Sequence, residues 1–366
     1  SPVVKGYVVK PNQDTQGDLV EADGSKVKAS TTDLTVDSAN QDLKVRYVPV
    51  GTWTPKVPEG ETPINPIPYP NDPTDPGKVV DPNKPTDPNE PNKPSVPVIP
   101  HIPGTTPKDP EGNPLKPVDP QDPSKGYVPP TPKTPTENTE IKYEKDTQKA
   151  TVKYVVEGTD TVLHKDELEG KSGAPIDYTT ATKLAELKAG GYELVTDGFT
   201  TATDKNYDNN PKVDQEFLVT VAKTVPVTPT TPQNPNEDPQ NPQPGDPINP
   251  ENPNGPKWTK EALDKLNNIK SVTRTITYIK DGTTEEVSPT EAPKWTDKVS
   301  FTRTVVVNPK DGSVVGYDTT GDGIADVAAT DTTSGWKAAG TAKFTEKTSP
   351  VVKGYVVKPN QDTQGD

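Results

Sequence analysis

The sequence contains no cysteine and no methionine, and has only two histidines and four phenylalanines in 366 residues. Lack of cysteine excludes disulfides, thiolate metal sites and thiol nucleophiles. Hydrolytic and zinc chemistry needs better-placed imidazoles than His101, inside a proline-rich stretch, and His164. Without methionine there is no initiator, so a processed or excised piece of a longer protein is expected. Only 28% of residues are hydrophobic against 26% charged, too little apolar material for one packed domain of this length. There is no run of eighteen apolar residues, and Ser1 to Lys10 shows neither the basic start nor the apolar stretch of a signal peptide. A formal charge of −14 would repel nucleic acid and anionic membrane surfaces at long range, so neither is an expected partner.

Proline is abundant but unevenly placed. Of 47 prolines, 26 lie between Pro55 and Pro135 and 11 between Pro226 and Pro256, so these windows differ in kind from the rest of the chain. Pro82, Pro85, Pro88, Pro91, Pro94, Pro97, Pro100 and Pro103 recur every third residue, as do Pro244, Pro247, Pro250, Pro253 and Pro256. Polyproline II has three residues per turn, so the spacing predicts left-handed extended spacers with prolines along one edge. At about 3.1 Å per residue they would reach roughly 250 Å and roughly 95 Å.

The residues Ser1 to Asp18, SPVVKGYVVKPNQDTQGD, recur unchanged as Ser349 to Asp366. Identity over eighteen residues marks one period of a tandem array. Read cyclically, a module beginning at Trp258 continues into residues 19–50 of a following copy. The expected organisation is therefore residues 1–50 as the end of one module, a spacer over 51–138, an intact module over 139–225, a second spacer over 226–257, and residues 258–366 as the start of the split module.

Both modules read as strand-rich with one helix. In the intact one, Ala150–Val156 and Thr161–His164 suggest a hairpin closed near Gly158. A helical stretch follows from Asp177 through Leu184 and Leu187 until Gly190 and Gly191 stop it, and Tyr192–Val195 and Glu216–Val221 supply later strands. In the split module, Val272–Ile279 and Val299–Val307 alternate as half-buried strands, with turns at Asp281-Gly282 and Asp311-Gly312. The expected class is α+β, mostly β, with tandem grasp-like modules separated by polyproline II linkers.

The stretch from Ala150 to Gly198, with QEFLVTVAK at Gln215–Lys223, resembles the MucBP-type mucin-binding module of surface adhesins from lactic acid bacteria. The segment from Ser271 to Val307, with SPVVKGYVV and DLKVRYVPV, resembles the larger module of the mucus-binding (Mub) repeat. The resemblance implies ubiquitin-like β-grasp modules in tandem, anchored to a Gram-positive cell wall and engaging host mucus glycoproteins, with other host glycoproteins such as immunoglobulins as further partners.

Three groups of residues carry possible chemistry. Asp318, Thr320, Asp322, Ile324 and Asp326 fall at positions one, three, five, seven and nine of an oxygen-only calcium loop, with Gly323 at the sixth. Thr320 replaces an acid and Ala329 stands where the bidentate Glu belongs, so the alternative is a solvated Asp-Gly turn. Trp295 and Trp336 are candidate sugar-stacking rings, with a core role as the alternative, while Trp53 and Trp258 sit at spacer junctions. Lys165, Asp166, Glu167, Glu169 and Lys171 form a charge cluster that reads as a solvated face.

No catalytic constellation is present, and a binding protein is expected: a repeat of a cell-wall-anchored adhesin taking mucin glycans multivalently. The alternative is a stalk repeat that binds nothing itself. The split module also lacks a closing strand, from which either strand exchange between neighbouring repeats or disorder over Val351–Asp366 is expected.

Overall fold

The computed structural model describes residues 1–10, 26, 33–40, 44–84, 96–234 and 237–359. The period-three prolines from Pro85 to Pro94, Leu43 at the start of the closing strand expected over Leu43–Val48, and the last residues of the repeated peptide lie outside this set. The chain forms two compact units: residues 1–151 with 166–177 and 203–216, and residues 152–165 with 178–202 and 217–366.

The first unit opens with β1 (Tyr7–Val9) and β2 (Tyr47–Pro49), rich in the β-branched and aromatic residues that suit strands. They pair antiparallel, Val8 opposite Val48. Next come β3 (Thr52–Lys56), β4 (Ile67–Pro68), β5 (Thr105–Lys108) and β6 (Thr139–Lys145), arranged β4-β3-β6-β5. β3 and β6 are parallel, with Trp53 opposite Thr139. Trp53, Tyr69, Ile99, Leu115, Tyr127, Ile141 and Tyr143 form the core. Trp53 is fully buried, meets Tyr69 edge-on at 4.7 Å, and donates its Nε1–H to the Pro130 carbonyl at 2.9 Å.

The expected spacer over 51–138 is therefore, in its described parts, a packed structure. Two physical facts account for the difference. Five large apolar side chains punctuate the prolines, and burying each stabilises by about 1.5–3 kcal/mol. The Asp-Pro steps also close turns. Asp72 Oδ1 accepts from the Thr74 amide, Asp119 Oδ1 from Gln121 and Asp122 Oδ1 from Ser124, while Gly112 N donates to Asp109 O and Asp122 N to Asp119 O. Proline presets the second residue of such turns and Asp caps the first. A chain of Asp-Pro turns thus carries the same period of three as polyproline II.

A central sheet follows from β7 (Thr147–Val156), β8 (Val162–Lys171), α1 (Ala181–Ala189), β9 (Tyr192–Asp197) and β10 (Gln215–Lys223), with strand order β8-β7-β10-β9. The expected sequence of elements is present, with shifted boundaries. β8 runs on through the charge cluster, because its side chains keep alternating between exposed and half-buried as far as Lys171. The helix starts at Ala181 and stops at Gly190, whose N–H donates to the Glu186 carbonyl, and Gly191 follows at φ +82°.

In the second unit β11 (Val225–Val227) leads through α2 (Lys260–Asp264) to β12 (Ile269–Ile276), β13 (Trp295–Thr302), β14 (Thr304–Val307), β15 (Val314–Asp318), β16 (Val327–Ala328) and β17 (Lys337–Ala338). Two sheets result, β11-β14-β15-β16 and β12-β13-β17. The expected single strand over 299–307 is divided at Arg303, which sends its two halves into different sheets. The second expected spacer is likewise folded: β11 pairs with β14, and Ile248 and Trp258, each 2% exposed, join Val225, Val227, Leu266, Val305, Val307 and Tyr317 in one core. Gly312, at φ +73° in the expected Asp-Gly turn, lies so close to the Trp258 ring that a Cβ would sit 2.6 Å from it. Trp53 and Trp258 are thus core residues.

Candidate functional site

Helix α1 places Leu184 and Leu187 one turn apart on the side that faces β9. The double glycine reverses the chain within two residues and brings Tyr192, Glu193 and Leu194 alongside. The result is a cavity of ≈ 220 Å³ lined by these side chains with Lys188 and Val221. Its lining is mostly apolar and includes the Lys188–Glu193 ion pair at 3.4 Å. Below it, Asp197 at the end of β9 accepts from the Thr180 hydroxyl at 2.6 Å and the Thr200 amide at 2.8 Å, tying the start of α1 to the sheet. Burial acts to raise the Asp197 pKa, but these hydrogen bonds outweigh it and hold the carboxyl below its ordinary range. A groove lined by apolar side chains, one phenol and one charged pair suits a small polar ligand with an apolar face.

The two tryptophans singled out from sequence have different surroundings. Trp295, at the start of β13, is 37% exposed, with the Lys347 ammonium 3.5 Å over its ring. Trp336 is half-buried, with Arg303 4.6 Å and Lys270 4.4 Å from its ring centre, and its Nε1–H bonded to the Thr332 carbonyl at 3.1 Å. Two cations already stand over Trp336, which makes it part of a clamp on Arg303.

Arg303 is the buried centre of this clamp. Its guanidinium stacks 3.3 Å over Tyr317, and Nε and Nη1 donate to the carbonyls of Asn267 and Asp331, both at 3.0 Å. Burial pushes its pKa down, opposed by Tyr317 and Asp331. Asn267, at φ +45°, adopts a backbone shape costly for a side-chain-bearing residue, held so that its carbonyl meets Arg303.

Asp318, Asp322 and Asp326 converge, offering carboxylate oxygens within 4.8 Å of one another. Several of the loop's own donors point at Asp318 and Asp326. Asp318 accepts from the amides of Thr320 (3.0 Å), Gly321 (2.6 Å) and Gly323 (2.9 Å), and Asp326 from those of Thr319 (2.7 Å) and Thr320 (3.0 Å). The Thr319 amide leads the hydrogen bonds that lower the Asp326 pKa. Asp322 accepts from Ile324, whose side chain packs where a Cβ on Gly191 would lie. The Thr320 amide donates to both Asp318 and Asp326, and the Ile324 side chain packs near Gly191. The loop is closed by its own amides, and a cation would have to compete with them.

The groove lies inside residues 148–223, which match the mucin binding domain family, and Trp295, Trp336 and the aspartate loop lie inside residues 263–364, which match the Muc B2-like domain family. Two segments of the chain thus match domain families of the mucin-binding kind. Among solved structures, the chain is similar to a type 2 repeat of the mucus binding protein MUB from Lactobacillus reuteri, at 24% identity over 47% of this chain and 73% of that one. It is also similar to Mub-RV, at 26% identity over 49% and 74%. Both superpose with a TM-score of 0.22. No curated protein matches.

None of the candidate binding or metal-ligating residues named from the sequence lines the groove. The available signal was the pair Leu184 and Leu187 on a helix with no fully buried residue, followed by Tyr192 after two glycines.

Proposed function

We propose that this chain is a mucus-binding repeat of a bacterial surface adhesin, anchored to the cell wall, and takes mucin-type glycans in the groove between α1 and β9. The observation that carries this reading is a ≈ 220 Å³ groove lined by apolar side chains, Tyr192 and the Lys188–Glu193 pair, within the residues that match a mucin binding domain. Sugar rings present an apolar face to aromatic and aliphatic side chains and hydroxyls to charged ones. The formal charge of −14 disfavours long-range attraction of sialylated or sulfated chains, so neutral sugars are the expected ligands. Trp295, with part of its ring exposed, is a second contact. The central strand order β8-β7-β10-β9, with the helix between the second and third strands in sequence, supports a grasp-like module. Weak binding at each repeat would be strengthened by repetition, because tethered copies raise the effective concentration.

Two observations favour a stalk instead. The clamp of Arg303, Tyr317 and Trp336 uses aromatic rings internally, and the proline-rich segments are packed, both of which suit a stiff spacer. Binding of the full chain to immobilised mucin, compared with Tyr192→Ala, separates the two. Loss of saturable binding in the folded variant supports the groove, and absence of binding by the parent chain supports the stalk.

A further inference from the structure

The first unit holds a cavity built differently from the groove beside α1. Glu140, Lys142 and Glu144 alternate along β6 with the buried Ile141 and Tyr143, so all three project from the face of the β4-β3-β6-β5 sheet turned away from its core. The strand register places two more lysines beside Lys142: Lys56 on β3 and Lys108 on β5. Like charges directly opposite one another destabilise a sheet, so this row of three lysines costs stability that uncharged residues would not. Glu144 offsets part of that cost. It holds the Lys108 ammonium at 2.6 Å and the Lys142 ammonium at 3.2 Å, and these bonds keep its carboxyl below the ordinary range. Glu140 is exposed and joins no ion pair among the described residues.

The turn after β5 walls the space in. The Asp109 carboxylate accepts from the Asn113 amide at 2.8 Å and the Asp109 carbonyl from the Gly112 amide at 3.0 Å, with Gly112 at φ +89°. Between turn and strand lies a cavity of ≈ 230 Å³, lined by Lys108, Asp109, Glu111, Glu140, Lys142 and Glu144 with the turn itself. It stands outside both segments that match the mucin-binding kind of family. At about 30 Å³ per water molecule the space equals roughly seven waters, the size of one sugar ring.

The lining decides the class of ligand. Four carboxylates against two ammoniums disfavour an anion. A metal ion fits no better, because among the described residues the acidic side chains whose oxygens converge are Asp318, Asp322 and Asp326, not these four. A hydroxyl both donates and accepts, so a neutral polyol meets the carboxylates and the ammoniums alike and brings no charge to desolvate. We infer that this cavity is a second binding site, for a single neutral sugar ring, with Glu140 and Glu144 accepting from its hydroxyls and Lys108 and Lys142 donating to them. The inference does not rest on the groove between α1 and β9. It gives the proline-rich window a contact of its own and raises the number of contacts each repeat can make.

The test uses the full chain with ¹³C-labelled lysine, the Lys108 and Lys142 side-chain signals being identified with Lys108→Arg and Lys142→Arg. Methyl β-galactoside and methyl β-N-acetylglucosaminide are the probes. Saturable shifts of both signals are expected with at least one sugar, at an affinity about tenfold weaker in Glu140→Gln, which keeps the size of this exposed residue and removes its charge. The same shifts are expected in Tyr192→Ala, so a failure of the groove as a mucin site leaves this site standing. Signals that move with neither sugar, shifts that vanish in Tyr192→Ala, or an unchanged affinity in Glu140→Gln would overturn the inference. Saturation by sodium sulfate or calcium chloride without a response to sugars would overturn it as well, and would make the cavity an ion site.

Discussion

The guanidinium of Arg303 lies 3.3 Å over the ring of Tyr317, at the point where one expected strand divides into β13 and β14. The fork donates to carbonyls on two separate segments, Asn267 and Asp331. A lysine ammonium has neither the planar stack nor the fork. Arg303→Lys is expected to destabilise the second unit by about 2 kcal/mol, read by chemical denaturation. An unchanged midpoint would show that the clamp contributes nothing.

Trp53 decides whether the first proline-rich window is a structure or a spacer. Trp53→Ala should cost about 3–5 kcal/mol, as for large aromatic truncations in cores, and expose residues 51–138 to proteolysis. An extended spacer would be cleaved equally in both proteins.

The aspartate loop separates two roles for one cluster. If its amides close it, Asp318→Ala costs about 1–3 kcal/mol with or without chelator, because three amides lose their acceptor. Lowering of the wild-type Tm by chelator would instead assign the cluster to a bound cation.

The central module was largely legible from sequence, and the reasons are specific. Alternating Val and Tyr in β7 reports a strand with one face buried, and Gly190-Gly191 reports the end of α1. The proline-rich windows were not legible, because chained Asp-Pro turns and polyproline II share a period of three and only tertiary contacts of Trp53, Tyr69 and Tyr127 separate them. The groove was hidden for a related reason: Leu184, Leu187 and Tyr192 converge only after the two-glycine reversal. Nor does the motif around Arg303 announce that its residue ends a strand, since the alternation of polar and β-branched residues continues through it.

Asp197 makes the central module sensitive to acid. Its folded pKa lies below the ordinary carboxylate value, so its contribution is present above about pH 4 and lost as pH falls through the folded pKa. Asp197→Asn should be less stable than the parent at neutral pH, with the difference closing in acid. A difference independent of pH would remove the carboxylate from the account.

Binding of the full chain to immobilised mucin, before and after enzymatic removal of its glycans, tests the central claim most directly. Saturable binding that disappears with the glycans is the predicted result. Absence of binding by the folded chain, or binding that survives removal of the glycans, would contradict it.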